Sequence, residues 1–179
     1  HQARLCVPPG FGDLLGGFGL SFFPVGHDLR LGPKKVPGGA TATVAAQFDA
    51  LRGAAAGCDV IVGCAAMQIA GRSIAEMLEI PYFYAAYAPV VLPATQHSPP
   101  PGQTDLVDAD SRSKWDRDAQ SWNDTWREGL NAQRAAIGLE PVTDVRSYVL
   151  TDRPLLAADP MLAPWPSPLE LEVVQTGAW

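Results

Sequence analysis

The sequence predicts a doubly wound α/β fold: an open, mostly parallel sheet with helices on both faces. Three patterns carry that expectation. Apolar residues switch repeatedly between a period of two and a period near 3.6, so strands and helices alternate along the chain. Asp59-Val60-Ile61-Val62-Gly63 is a continuous apolar run, the mark of a parallel strand covered on both faces. The connections between elements are short, and right-handed crossovers then lay the strands side by side.

In chain order, Arg4 to Val7 reads as a strand and Phe11 to Phe18 as a short helix weakened by its glycines. Ser21 to Val25 is the second strand, followed by a Gly/Pro/Lys-rich loop from Gly26 to Gly39. Thr41 to Ala56 is a helix with Val44, Phe48, Leu51 and Ala55 on one face, and Gly57 stands where a left-handed cap belongs. The apolar strand at Asp59 comes next. Met67 to Glu79 then forms a helix whose stripe is Met67, Ala70, Ile74 and Met77, and Ile80 to Tyr84 forms a strand. Ala88 to Asp110 is a long loop, because Pro89, Pro93, Pro99, Pro100 and Pro101 deny it backbone donors. Ser111 to Ile137 is the longest helix, roughly 40 Å at 1.5 Å per residue, and Gly138 with Pro141 ends it. Short strands at Leu155-Leu156-Ala157-Ala158 and Glu172-Val173-Val174 complete the pattern.

Composition bounds the partners. The 179 residues suffice for one domain with its own core. With 13 Lys and Arg against 19 Asp and Glu, the net charge of −6 argues against nucleic acid or an anionic membrane. No apolar run approaches the roughly 20 residues of a membrane span. Cys6, Cys58 and Cys64 are odd in number and lack ligand spacing, so neither a disulfide framework nor a metal site is expected. Reduced thiols in a cytoplasmic protein fit better. Asn123-Asp124-Thr125 matches a glycosylation sequon, but nothing else suggests secretion. Both ends read as cut: His1-Gln2-Ala3 runs at once into a strand, and the chain stops just after Val173-Val174.

Ligands of such sheets bind outside the strand carboxyl ends. Two places qualify: the turn Gly63-Cys64-Ala65-Ala66 and the stretch beginning at Ala85. Tyr82, Tyr84 and Tyr87 offer apolar area with a hydroxyl, which suits an aromatic ligand, or else they pack against flanking helices. Alternation turns Phe83 away from Tyr82 and Tyr84. Gly10-Phe11-Gly12-Asp13-Leu14-Leu15-Gly16 approaches a dinucleotide fingerprint, yet Pro8-Pro9 removes donors from the turn and no acidic residue closes the second strand. Trp115, Trp122 and Trp126 form a packing seam, or one of them reaches over a ligand cleft. Asp116 and Asp124 fall on the solvated side of the same helix. His97 reads as a solvated loop histidine, with a role at a ligand as the alternative, and His27 has no visible partner. No nucleophile elbow, phosphate loop or carboxylate pair is recognisable.

An ordered set of short motifs points further. Ala46-Gln47-Phe48-Asp49, Gly71 to Glu76, Ile80 to Ala85, Ala136 to Val142, Thr151-Asp152-Arg153-Pro154, Ala157-Ala158-Asp159-Pro160 and Gln175 to Trp179 occur in this order in one group. The chain resembles the N-terminal domain of the actinobacterial glycosyltransferases that decorate vancomycin-type glycopeptides and related antibiotics. The resemblance implies a GT-B fold, in which two Rossmann-like domains face each other across a cleft. Residues 1–179 would be the acceptor-binding half, lacking its first strand and the whole C-terminal domain. It implies inverting transfer of a hexose or deoxysugar, without a metal, to a hydroxyl of a small-molecule or peptide natural product. The donor, a UDP- or dTDP-sugar, would bind the missing C-terminal domain, which is also the chain's expected partner, so no cofactor site lies in this segment. The family's catalytic base falls in a loop before His1 and cannot be carried over. Acceptor contacts fall around Ala65, Ala66 and Gln68, and around Tyr84, Tyr87, Val90 and Gln96.

Two departures stand out. The Gly26 to Gly39 loop is shorter than in relatives, and Val90 to Thr95 does not follow the glycopeptide enzymes. Glycopeptide, macrolide and aromatic polyketide acceptors all stay open. Two readings from other classes compete: a dinucleotide-dependent oxidoreductase using Gly10 to Gly16, and a non-catalytic binding or activator module.

Overall fold

A computed structural model describes residues 2–26, 38–64, 68–100, 110–166 and 171–179. The expected loop from Gly26 to Gly39, with His27, falls mostly outside the described residues.

The chain begins with strand β1 (Arg4–Val7), a single 3₁₀ turn at Pro9–Phe11, helix α1 (Gly12–Gly17) and strand β2 (Ser21–Pro24). Helix α2 (Gly39–Ala55) leads to β3 (Ile61–Cys64), α3 (Gly71–Leu78) and β4 (Tyr82–Ala86). After a 3₁₀ turn at Pro89–Val91 come α4 (Ser111–Ala136), α5 (Val145–Leu150), β5 (Leu155–Leu156) and β6 (Val174–Gln175). Among the described residues, all strand pairs are parallel. Helix α5 has no counterpart in the sequence reading, because Val145 to Leu150 is too short to show a helical period.

The described strands form two sheets rather than one: β1-β2, and β3-β4-β5-β6. Strands β1 and β3 each have one edge that no described strand pairs. The expectation that the Asp59 run is covered on both faces is corrected accordingly. Val62 and Phe83 pair across β3 and β4 and are 47% and 44% exposed. The other face carries Ile61, Tyr82 and Tyr84, and it meets the core. Val44 and Phe48 of α2, Ile74 of α3, Leu130 of α4, Val145 and Val149 of α5 and Leu156 of β5 fill that core.

Polar side chains fasten the layers at helix ends, where backbone groups lack intrahelical partners. Arg4 Nη1 donates to the Ala54 and Ala56 carbonyls at the end of α2 (3.0 and 2.6 Å). Helix α3 starts at Ala70, which has no capping side chain. The buried Gln47 supplies one instead, its Oε1 accepting from Ile69 N (2.8 Å) and Ala70 N (3.2 Å). Asp110 and Asp144 cap α4 and α5 by accepting from Ser113 N and Ser147 N. Gly57 and Gly138 stand past the ends of α2 and α4 with φ of 71° and 77°, the left-handed positions the sequence marked out.

The tryptophans of α4 form a seam. Trp115 is buried, and Trp122 and Trp126 are half-buried against the core. Asp116 and Asp124 are exposed, as their helix face requires.

Candidate functional site

Parallel pairing gathers the carboxyl ends of β3 to β6 on one side of the four-stranded sheet, at Cys64, Ala86, Leu156 and Gln175. The segments leaving β4, β5 and β6 are locked together. Ala157 N donates to Ala86 O (2.8 Å), and Thr176 N to Leu156 O (3.0 Å). Gln175 Nε2 donates to the Ala158 and Ala163 carbonyls (2.9 and 3.0 Å), while its Oε1 accepts from Trp165 N (3.1 Å). One amide therefore ties β6 to the segment after β5, which gives the platform a rigid base.

The residues expected to contact a ligand separate into three groups. Tyr87, Val90 and Gln96 are exposed on the loop after β4. Tyr87 is 59% exposed, and its hydroxyl is pushed up to about 12, chiefly by a hydrogen bond with the Cys64 thiol and then by burial. Tyr87 therefore stays neutral there at physiological pH. Tyr84 is different. It is 1% exposed inside the core, and burial pushes it up to about 12, with the nearby Cys64 adding to the shift. Tyr84 supports the platform from below and presents no surface.

Gln68 turns inward. Its Nε2 donates to the Tyr82 hydroxyl (2.6 Å), which donates in turn to Val149 O (3.1 Å). A Cβ on Gly63 would collide with both Gln68 and the Tyr82 hydroxyl, and one on Gly71 would lie 2.7 Å from Gln68 Oε1. The glycines at 63 and 71 thus make the slot that the Gln68 amide fills. Burial pushes Tyr82 strongly up, so its hydroxyl remains a donor. Ala65 and Ala66 lie outside the described residues.

Sequence reasoning missed other apolar groups near these strand ends. Met161, Leu162 and Trp179 are all exposed. Asp159 Oδ1 accepts from Met161 N (2.8 Å) and Leu162 N (3.3 Å), forming the turn that displays both side chains. Asp-Pro at residues 159 and 160 was the available signal for that turn.

His97 is not the solvated histidine the loop composition suggests. It lies between Trp115 and Trp165, with the Trp115 indole donating to the His97 carbonyl (2.9 Å). The residue is placed by long-range packing of α4 and the 159–166 segment, which sequence spacing does not reveal.

The glycine turn at Gly10 to Gly16 has a packing explanation at one position. A Cβ on Gly12 would lie 3.1 Å from the Phe22 ring, so α1 sits tight against β2 there. Two open depressions lie away from the strand carboxyl ends. One of about 640 Å³ runs along the hydrophilic outer face of α4, and one of about 430 Å³ lies by Arg72, Phe83 and Thr151. The first is the solvated side of an amphipathic helix. The second lies where α3 and α5 meet the amino ends of the strands, opposite the side where ligands of parallel sheets bind. Among the described residues, no group of three or more His, Cys, Asp and Glu could hold a metal ion. None of the described helices is long and apolar enough to cross a membrane.

No protein-family model matches the chain. It is 40% identical over 192 residues to glycosyltransferase GtfE of Amycolatopsis orientalis, with 99% of this chain aligned to 47% of that protein. It is 40% identical over 190 residues to the vancomycin aglycone glucosyltransferase of the same organism, covering 99% and 46% of the two chains. It is 38% identical over 187 residues to that organism's dTDP-epi-vancosaminyltransferase, covering 99% and 43%. The chain therefore spans about half the length of the curated relatives it matches. Among solved structures, the spinosyn forosaminyltransferase SpnP superposes with a TM-score of 0.58 at 18% identity, covering 100% of this chain and 43% of that one. The resemblance to vancomycin-group glycosyltransferases holds across nearly the whole chain, and the fold is that of the N-terminal half of a GT-B glycosyltransferase.

Proposed function

We propose that this chain is the acceptor-binding N-terminal domain of an inverting glycosyltransferase acting on an antibiotic aglycone. The observation that carries the reading is 40% identity over 99% of the chain to two glycosyltransferases, one of which is named for the vancomycin aglycone. The enzyme moves a hexose or deoxysugar from a UDP- or dTDP-sugar to a hydroxyl of a glycopeptide-like or other peptide or polyketide acceptor, in the cytoplasm. The C-terminal domain of the same polypeptide holds the donor.

The unpaired edges of β1 and β3 support a further part of the proposal. In this reading a parallel strand preceding His1 pairs with both and joins the two sheets into one. The catalytic base sits on the loop that follows that strand.

This chain's own residues then bind and orient. Tyr87, Val90 and Gln96 contact the acceptor, together with Ala65 and Ala66. Gln68 acts indirectly, through its bond to Tyr82 beneath the end of β3. A tyrosine surface suits a flat or polycyclic aglycone, because it buries a large apolar area and keeps one hydroxyl for recognition. Orientation matters here because an inverting displacement needs the acceptor oxygen in line with the departing nucleotide.

The test uses the complete polypeptide with UDP-glucose and a dTDP-sugar against glycopeptide, macrolide and aromatic polyketide aglycones, read by mass spectrometry. A product heavier by one sugar residue supports the reading. Absence of transfer for every donor and acceptor pair would sink it.

A further inference from the structure

On the loop after β4, the half-buried His97 meets the half-buried Trp165 of the segment after β5, and the reading above uses neither. The His97 ring stands edge-on to two indoles, with centroids 5.8 Å from Trp115 and 6.4 Å from Trp165 and interplanar angles of 74° and 73°. His97 Nδ1 lies 3.3 Å from the Ser98 carbonyl oxygen. A carbonyl only accepts, so in the neutral imidazole the hydrogen sits on Nδ1 and Nε2 is a bare acceptor. Among the described residues, that Nε2 is buried without a hydrogen-bond partner, and so is Trp165 Nε1, which can only donate. Trp115 does not share this condition, since its own Nε1 donates to the His97 carbonyl.

The two unmet needs are opposite in sign. One hydroxyl-type oxygen has the chemistry to serve both, donating its hydrogen to His97 Nε2 and accepting from the Trp165 N–H. A carbonyl or carboxylate oxygen would meet only the indole, and an ammonium only the imidazole. We propose that His97 and Trp165 form a subsite for one hydroxyl-type oxygen at the far end of the acceptor loop. That oxygen has two sources: a hydroxyl of the acceptor, which rests on the transferase reading, or a water that fastens the loop, which does not.

The deciding experiment is a crystal structure of the complete polypeptide, alone and with vancomycin aglycone as the probe. The expected result is an oxygen within about 3.2 Å of both nitrogens. An aglycone hydroxyl at that point identifies the acceptor as its source, and a water in both crystals identifies the structural role. A direct bond between His97 Nε2 and the Trp165 N–H, or no oxygen near either atom, overturns the proposal.

A kinetic arm separates the sources independently. His97→Phe and Trp165→Phe keep an aromatic ring; the first removes both imidazole nitrogens, Nδ1 with its contact to the Ser98 carbonyl included, and the second removes the indole N–H. With the acceptor as source, each raises KM for the aglycone about tenfold, the worth of about 1.4 kcal/mol, and leaves KM for the nucleotide sugar in place. His97→Gln, which retains an acceptor atom, restores part of the loss. With water as source, both variants lower the thermal midpoint without moving either KM. Variants that change neither quantity count against the subsite. If the unaltered protein transfers no sugar, the transferase reading falls while the crystallographic oxygen still decides this one.

Discussion

Tyr148 lies between two guanidinium groups, with Arg72 Cζ 4.6 Å and Arg134 Cζ 4.9 Å from its ring centre. Arg134 is buried, and four acceptors offset the cost of removing its charge from water. Its Nη1 reaches Tyr148 Oη (2.6 Å), Glu76 Oε2 (2.7 Å) and Ser73 Oγ (3.0 Å), and its Nε donates to Glu140 O (2.7 Å). Replacing Arg134 with Met keeps the volume and strands those partners. We expect a loss of about 2–4 kcal/mol, below the full cost of breaking a buried pair because Glu76 is a third exposed. Urea unfolding of the complete polypeptide measures it, and a loss well under 1 kcal/mol would mean that water replaces the guanidinium. The buried tyrosines set an alkaline limit. Tyr84 rises from 10 to about 12 on folding, so the native state holds its proton more tightly than the unfolded chain. The stability this gives is complete below pH 10 and drains away as pH rises to 12, and Tyr82 and Tyr148 act in the same direction. Tyr84→Phe should therefore show a shallower fall in unfolding free energy across pH 10–12. An unchanged slope would assign the alkaline loss to the other raised tyrosines, Tyr82, Tyr87 and Tyr148.

Helices α2 and α4 meet at Gly129. A Cβ there would lie 2.9 Å from Thr41 Cα, a contact with rigid backbone. Alanine brings about 1 kcal/mol of helix propensity, whereas overpacking a fitted contact costs about 1–3 kcal/mol. The contact should win, and Gly129→Ala is expected to lower the thermal midpoint. A higher midpoint would show that the two helices reseat without strain. Arg146 secures the other end of α4, its Nη1 donating to Trp115 O and pairing with Asp118 Oδ2 (3.2 Å). The long helix is thus held at both ends by groups far away in sequence.

At the scale of the molecule, the described parts leave a seam. Strands β1 and β3 present unpaired parallel edges. Val62 and Phe83 on the sheet face, and Phe11, Leu14 and Phe18 near α1, expose apolar area. Unpaired edges and apolar faces of this kind are where a further segment adds. Hydrogen exchange provides the check. In the chain alone, outward amides of β1 and β3 should exchange far faster than those of β4, and in the complete polypeptide they should become protected. Equal protection in both would remove the reason to place a strand between the two sheets.

The sequence by itself determined the local order of the fold. Periodicity marked β1 to β4, α2 and α4, and the glycines at 57 and 138 stopped their helices, because a backbone turned to positive φ favours glycine wherever it occurs. The proline-rich stretch was legible for the same reason, since its described part, up to Pro100, follows from short-range rules. Only the tertiary structure decided which side chains are free. Gln68 and Tyr84 carry the residue types of a binding surface but turn into the protein, and His97 reads as loop yet is enclosed by two indoles. Those outcomes depend on partners 14 to 68 residues away, such as Tyr82 below Gln68 and Trp165 beside His97. Burial of that kind is a property of packed layers, and no local pattern encodes it.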